Sequence, residues 1–267
     1  MTTFDRPAAD FMSASVETIH PDASLAEAER RLTTGAYSCL AVAGGDGKLC
    51  GVLSRTDILR IGRLRATMAD DPQLLTMPHQ PVRTHMIRGV ITTEPSTSLR
   101  AAATAMLQHR IHRLFVVSGE RAVGVLSTRD LMRAVVEARL AEPLSHFMSS
   151  PVLTVSATQG VGAAADLLQE SRVRGLVVED AEWPVGVFTQ TEALAASKLV
   201  PSTPVEEVMS CALLCLPLKL PLFRAAAFAL QTRARTILAV ASRELHGIVS
   251  GLDMARAVAC HLSGASL

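Results

Sequence analysis

The chain has 267 residues, 49% hydrophobic and 19% charged, enough for two domains with a sizeable core. Its 26 basic and 25 acidic residues leave a formal net charge of +1, without the basic excess of a nucleic-acid binder and without a run of like charges. The five cysteines are an odd number with no CxxC pair, which argues against a disulfide framework and for a reducing cytoplasm.

Residues 1–10 hold two acids, one arginine and no apolar core, so they do not read as a signal peptide. The apolar stretch Cys211 to Leu218 contains Pro217 and is closed by Lys219, well short of the roughly 20 residues a membrane span needs. Cys211 and Cys215 have no histidine at zinc-like spacing and read as ordinary thiols, so no metal site is expected.

One short pattern occurs four times: glycine, two apolar residues, a hydroxyl residue, two spacers and an acid. The copies begin at Gly51, Gly124, Gly186 and Gly247 and end at Asp57, Asp130, Glu192 and Asp253. Such a stretch fits a strand running into a helix, with the hydroxyl as N-cap and the acid at N3. Leu25, Leu99, Val161 and Leu222 repeat with steps of 74, 62 and 61 residues, and Thr18, Thr92, Thr154 and Cys215 keep the same steps. The glycines fall one residue short in the first step, which places one extra residue in the turn-rich Gly44-Gly45-Asp46-Gly47 of the first copy.

Taken in order, each copy opens with a lead ending in Met12, Met86, Met148 or Met209. A short strand holding Thr18, Thr92 or Thr154 comes next. A helix follows, whose apolar stripe reads Leu99, Ala102, Ala103, Met106 and Leu107 in copy 2 and Leu222, Ala225, Ala226, Ala229 and Leu230 in copy 4. Two strands then lead into the glycine motif and a last helix, predicted to end near Val136 in copy 2. The fold class is therefore α+β, four β-α-β-β-α repeats of roughly 55–60 residues, each too small to stand alone. The expected boundaries are 8–65, 82–140, 143–200 and 204–262, with a proline-bearing linker at 66–81. Repeats 1 and 2, and repeats 3 and 4, are expected to pair into two modules that meet near residue 142. Trp183, the only tryptophan, reads as a packing residue.

The Met-ended lead, the early threonine and Gly-apolar-apolar-Ser/Thr-x-x-Asp, in four copies over nearly the whole chain, resemble the cystathionine-beta-synthase (CBS) domain. The resemblance implies two Bateman modules and no catalytic activity. It implies adenosine ligands (AMP, ADP, ATP or S-adenosylmethionine) bound between paired repeats and signalled to an effector protein, with a homodimer as the family-level expectation. By match, Asp57, Asp130 and Asp253 would accept hydrogen bonds from a ribose diol, and Ser54, Ser127 and Ser250 would lie near phosphate at a helix N-terminus. Thr18, Thr92 and Thr154 would frame the nucleoside. His112 and Arg113 resemble the phosphate-contacting segment of the gamma subunit of AMP-activated protein kinase, an energy sensor. Arg174 and Arg235 align with that segment, and Arg129 lies within a turn of the cap. The family's proline after this segment is replaced by Ala41, Phe115, Val177 and Leu238.

Against this stands a plainer reading, in which the motif is only a capping box and Thr189 with Glu192 its best instance. Arg55 and Arg129 then read as solvated helix arginines. The alternative function is a structural or interaction module with degenerate ligand sites.

Overall fold

The leucines and alanines that recur at helical spacing do form helices, and serine starts two of them. Ser24 accepts the Glu27 N–H at 3.1 Å and opens α1 (Leu25–Thr34); Ser98 accepts the Ala101 N–H at 3.2 Å and opens α3 (Leu99–Gln108). The structure, a computed structural model, describes residues 2–35, 37–66, 77–171, 173, 175–242 and 244–261. Most of the expected linker, Pro72 included, and Arg174 lie outside the described residues.

Each repeat has the expected order. Repeat 1 is β1 (Thr18–Ile19), α1, β2 (Cys39–Ala43), β3 (Leu49–Ser54) and α2 (Arg55–Ala66). Repeat 2 is β4 (Thr92–Thr93), α3, β5 (Arg113–Ser118), β6 (Arg121–Ser127) and α4 (Thr128–Glu137). Repeat 3 is β7 (Thr154–Ser156), α5 (Val161–Glu170), β8 (Gly175–Asp180), β9 (Trp183–Thr189) and the short α6 (Gln190–Ala195). Repeat 4 is β10 (Cys215–Pro217), α7 (Leu222–Thr232), β11 (Ile237–Ala241), β12 (Glu244–Val249) and α8 (Gly251–Cys260). Among the described residues these strands form four three-stranded sheets, the first strand parallel to the second and the second antiparallel to the third.

The register reproduces the sequence repeat. Thr18 pairs with Ala41, Thr92 with Phe115, Thr154 with Val177 and Cys215 with Leu238. Every hairpin also shifts register just past the residue opposite the motif glycine, at Val42/Ala43, Val116/Val117, Val178/Glu179 and Ala239/Val240.

That glycine admits a methionine from another repeat. A Cβ on Gly124 would lie 2.5 Å from Met12 Sδ, one on Gly51 2.6 Å from Met86 Sδ, and one on Gly247 2.8 Å from Met148 Sδ; Gly186 faces Met209 in the same way. Backbone bonds seal each contact: Ser13 N–H to Val125 O and Val125 N–H to Ser13 O, both 2.9 Å, and likewise Ile87 with Val52, Ser149 with Ile248 and Ser210 with Val187. Each lead thus covers the outer edge of its neighbour's sheet, where open N–H and C=O groups would otherwise invite association. Repeats 1 and 2 exchange leads, and so do repeats 3 and 4. We expect Gly124→Ala to cost about 1–3 kcal/mol by overpacking against Met12. In urea denaturation, Met12→Ala in the same chain should recover part of that loss, so that the two changes are non-additive; strict additivity would show that the methionine is not the obstacle.

The compact units do not follow chain order. One comprises Met1–Val16, Ile91–Val152 and Ala212–Leu267, that is, repeats 2 and 4 with the leads of 1 and 3; the other comprises Glu17–Val90 and Leu153–Cys211. The core of the first is built where α4 packs on α7 and α8 and α3 packs on α8, burying Leu131, Val135, Leu222, Ala226, Met254 and Val258. The core of the second joins α2 to α6, burying Leu32, Ile58, Val161, Phe188 and Leu194. Trp183 is exposed at the start of β9 and packs in neither core. The balanced total charge hides a partition: the first unit has 14 basic and 9 acidic residues, the second 12 and 16, giving +5 and −4.

Candidate functional site

In repeat 2 the sheet register gathers the expected ligand groups at one end. Arg113 opens β5 and is paired across the ladder with Ser127, which closes β6; Thr92 lies on the same sheet, opposite Phe115. The Thr128 N–H donates to His112 O at 2.9 Å, so α4 begins directly beside the His112-Arg113 segment. Thr92 is exposed and His112, Arg113 and Ser127 are half-buried. The other repeats keep the frame with different chemistry. Cys39 faces Ser54 and Gly175 faces Thr189. In repeat 4 exposed Arg235 precedes β11, and Ser250 follows β12. Thr18 and Thr154 stand where Thr92 does. Cys215 takes that place in repeat 4, and burial pushes its thiol pKa up, leaving a neutral and weak hydrogen-bonding group.

The motif acids close capping boxes in all four repeats. Asp57 Oδ2 accepts from the Ser54 N–H at 2.9 Å and hydroxyl at 2.6 Å; Asp130 Oδ2 accepts from the Ser127 N–H and hydroxyl, both at 2.7 Å. Asp253 Oδ2 accepts from the Ser250 N–H at 2.7 Å and hydroxyl at 2.8 Å, and Glu192 Oε2 from the Thr189 N–H at 2.9 Å. Aspartate is therefore as good an arm as glutamate here, because the extended N-cap residue turns its own N–H toward the carboxylate. The box does not separate repeat 3 from the others; the second carboxylate oxygen does. Asp130 Oδ1 takes Arg133 at 2.6 Å, Asp253 Oδ1 takes Arg256 at 2.9 Å and Asp57 Oδ1 lies 3.5 Å from Arg60. Repeat 3 has Ala195 at this place. The three aspartates are only 5, 6 and 4% exposed in chain order.

These arginines extend the motif to Ser-x-x-Asp-x-x-Arg in repeats 1, 2 and 4, a threefold recurrence visible in the sequence itself. Arg133 also donates to Phe11 O, and Arg256 to Phe147 O at 2.6 Å and thus to the docked lead. Ser149, in that same lead, donates to Asp253 Oδ1 at 2.9 Å.

The two arginines beside the caps differ. Arg129 is exposed and donates to Leu230 O at 2.9 Å. Arg55 is not solvated: it is buried and donates to Leu32 O, Gly35 O and Thr191 Oγ1, each at 3.0 Å, closing the end of α1 and tying repeat 1 to repeat 3. In the other unit the matching helix starts meet closely, a Cβ on Gly251 falling 2.8 Å from Thr128 Cβ and 3.1 Å from His112 Nδ1.

Among the described residues no three His, Cys, Asp or Glu side chains are grouped to hold a metal ion, and no helix is long and apolar enough to cross a membrane.

Comparison with known proteins agrees with this architecture. The family model for the CBS domain matches residues 8–63, 82–137 and 144–198, more than half of the chain. Repeat 4 lies outside those matches but has the same elements, register and Ser250-x-x-Asp253 box. A solved protein of Methanocaldococcus jannaschii, proposed as an archaeal homologue of g-AMPK, superposes with a TM-score of 0.79 at 16% identity, covering 94% of this chain and 99% of that one. An uncharacterized conserved protein of Pyrococcus horikoshii gives 0.67 at 20% identity, with the same two coverages. At these identities the likeness is one of fold. An uncharacterized 33.4 kDa protein of Thermofilum pendens is 26% identical over 198 residues, 69% of this chain and 62% of its own length. An uncharacterized protein of M. jannaschii is 23% identical over 192 residues, 66% of this chain and 44% of its own. The chain spans less than two thirds of either curated relative.

Proposed function

This chain belongs to the CBS domain family, and on that premise we propose that it is a non-catalytic regulatory protein that binds an adenosine nucleotide and signals to an effector protein. The observation that carries this reading is the grouping in repeat 2 of Thr92, His112, Arg113 and Ser127 at the start of α4. The first turn of α4 offers backbone N–H groups and the positive end of a helix dipole, a setting that favours phosphate. Arg113 adds a fork suited to bidentate contact. Asp130, beneath them, supplies the carboxylate for the ribose, and Arg129 stands at the rim. In repeat 4, Arg235, Ser250 and Asp253 form a second and poorer site, with a thiol at 215. Repeat 1 has Thr18, Ser54 and Asp57 without a basic partner for phosphate at 38 or 39. Repeat 3, with Thr154 and Arg174 but Glu192 in place of aspartate, is the weakest. The ligand is AMP, ADP, ATP or S-adenosylmethionine; the protein works as a homodimer in the cytoplasm and reports on the energy state of the cell.

A second reading, an interaction module with degenerate sites, is favoured by the bonds that already engage both carboxylate oxygens of Asp130 and Asp253 within the protein. Thermal melting with AMP, ADP, ATP, S-adenosylmethionine and NAD in turn separates the two. A ligand at a hundred times its Kd stabilises by about 2.7 kcal/mol, and Arg113→Ala should remove most of that gain, measured against the variant's own unliganded melting temperature. Flat melts with every compound, from protein shown free of carried-over nucleotide, would leave the interaction module standing.

A further inference from the structure

We propose that Arg133 and Arg256 are latches that couple nucleotide binding in repeats 2 and 4 to release of the leads docked beside them. The inference rests on the ribose role assigned to Asp130 and Asp253 above.

The latch is one guanidinium with two acceptors. In repeat 2, Arg133 donates to Asp130 Oδ1 at 2.6 Å and to Phe11 O, the carbonyl that ends the short helical turn Ala8–Asp10 just before Met12. In repeat 4, Arg256 donates to Asp253 Oδ1 at 2.9 Å and to Phe147 O at 2.6 Å, just before Met148. The aspartate is thereby bonded, through the arginine, to the lead whose methionine fills the glycine notch of the same sheet.

The two carboxylate oxygens are not equally replaceable. Oδ2 is held by the N-cap N–H and hydroxyl, which the helix start fixes in place. Oδ1 is held by an arginine whose side chain is 51% exposed at 133 and 44% exposed at 256, and an exposed ion pair of this kind is weak; in repeat 4 the Ser149 hydroxyl of the docked lead also donates to it at 2.9 Å. A ribose diol carries two hydroxyl donors. Oδ2 already accepts two bonds from the cap and is full, so the diol must be taken at Oδ1, where it competes with the arginine and drives it into solvent. Phe11 O or Phe147 O then loses its charged donor. The ligand thus shifts the lead between docked and loosened states by its unequal affinity for the two, the requirement for any ligand-driven switch. Repeat 3 cannot work this way, since Ala195 replaces the arginine, and in repeat 1 the Arg60–Asp57 separation of 3.5 Å makes a looser pair.

Hydrogen exchange read by mass spectrometry on peptides covering residues 8–16 and 144–150 tests the latch in the full-length protein. Saturating AMP, with ATP and S-adenosylmethionine in parallel, should speed exchange at least threefold in both peptides. Arg133→Ala should give the faster rate at 8–16 without nucleotide and no further change with it, while 144–150 still responds. Arg256→Ala should show the reverse. Arg133→Lys, which keeps the charge on a shorter side chain of different shape, should fall between wild type and Arg133→Ala. A nucleotide that raises the melting temperature yet leaves both leads as protected as before overturns the latch alone. Wild-type protection at 8–16 in Arg133→Ala does the same. If no compound changes the melting temperature, the nucleotide reading fails instead, and the coupling with it.

Discussion

Cut between residues 142 and 143, the chain is expected to lose both of its cores. Each half retains its own exchanged leads, because Met12 docks on Gly124 and Met86 on Gly51 within the first half, and Met148 on Gly247 and Met209 on Gly186 within the second. What each half loses is the packing of helices. Leu131, Ala134 and Val135 of α4 would part from Leu222, Ala226, Met254 and Val258, all fully buried in the intact chain. Exposing a buried aliphatic side chain costs about 1.5–3 kcal/mol, so a handful of them matches the roughly 5–15 kcal/mol that stabilises a typical fold. The separate halves should therefore aggregate, or pair with their own copies through the bared helices, and melt at least about 10 °C lower; a loss of this size shifts a domain of about 100 residues by several degrees per kcal/mol. Co-expression should restore a one-to-one complex. Light scattering and thermal melts decide the matter, and two monomeric halves with near-native melting temperatures would mean that the helix contacts contribute little.

Arg55→Ala should be the most damaging single change at a polar residue. The side chain is 4% exposed and gives hydrogen bonds to two backbone carbonyls and one hydroxyl. Truncation leaves Leu32 O and Gly35 O without these donors, next to a void of guanidinium size. Unsatisfied buried groups cost about 1–3 kcal/mol each, and the expected total loss is about 2–4 kcal/mol in urea denaturation. Arg55→Met, which refills the volume without the donors, should recover part of it. Arg129→Ala, at an exposed helix position whose side chain donates to Leu230 O, should cost under about 1 kcal/mol. Equal losses at 55 and 129 would mean that the carbonyl bonds of Arg55 add nothing.

Much of the fold was legible because it is local and repeated. Equal spacing is matched by equal register: the aligned positions Thr18, Thr92, Thr154 and Cys215 pair with the aligned Ala41, Phe115, Val177 and Leu238, a pairing that the spacing alone did not name. The helix stripes were legible too, since Leu99, Ala102, Ala103 and Met106 are all buried. The lead exchange was not, because nothing local in Met12 or Gly124 says that one fills the space the other leaves, more than a hundred residues away. Nor was the burial of Arg55: the same residue type at adjoining cap positions, Arg55 and Arg129, has opposite surroundings, which only the packing of distant repeats decides. At the candidate site, the cap and the grouping around Ser127 followed from the pattern. The arginine three residues beyond each aspartate stood in the sequence, and so did the leads that hold Phe11 and Phe147, but nothing local says that the arginine of one repeat bonds a carbonyl in the lead of another.

The unequal charge of the two units bears on kinetics as well as on affinity. A free anion such as a nucleotide is drawn toward the unit at +5 and repelled by the unit at −4. Repeats 2 and 4 should therefore be the first to capture it, even where an isolated site of equal quality exists elsewhere. Because the Debye length shrinks from about 30 Å at 0.01 M to about 10 Å at 0.1 M ionic strength, that head start belongs to dilute solution and fades with added salt. For the sites proposed in repeats 2 and 4, the advantage in capturing an anion is thus expected to depend on the solvent as well as on the side chains.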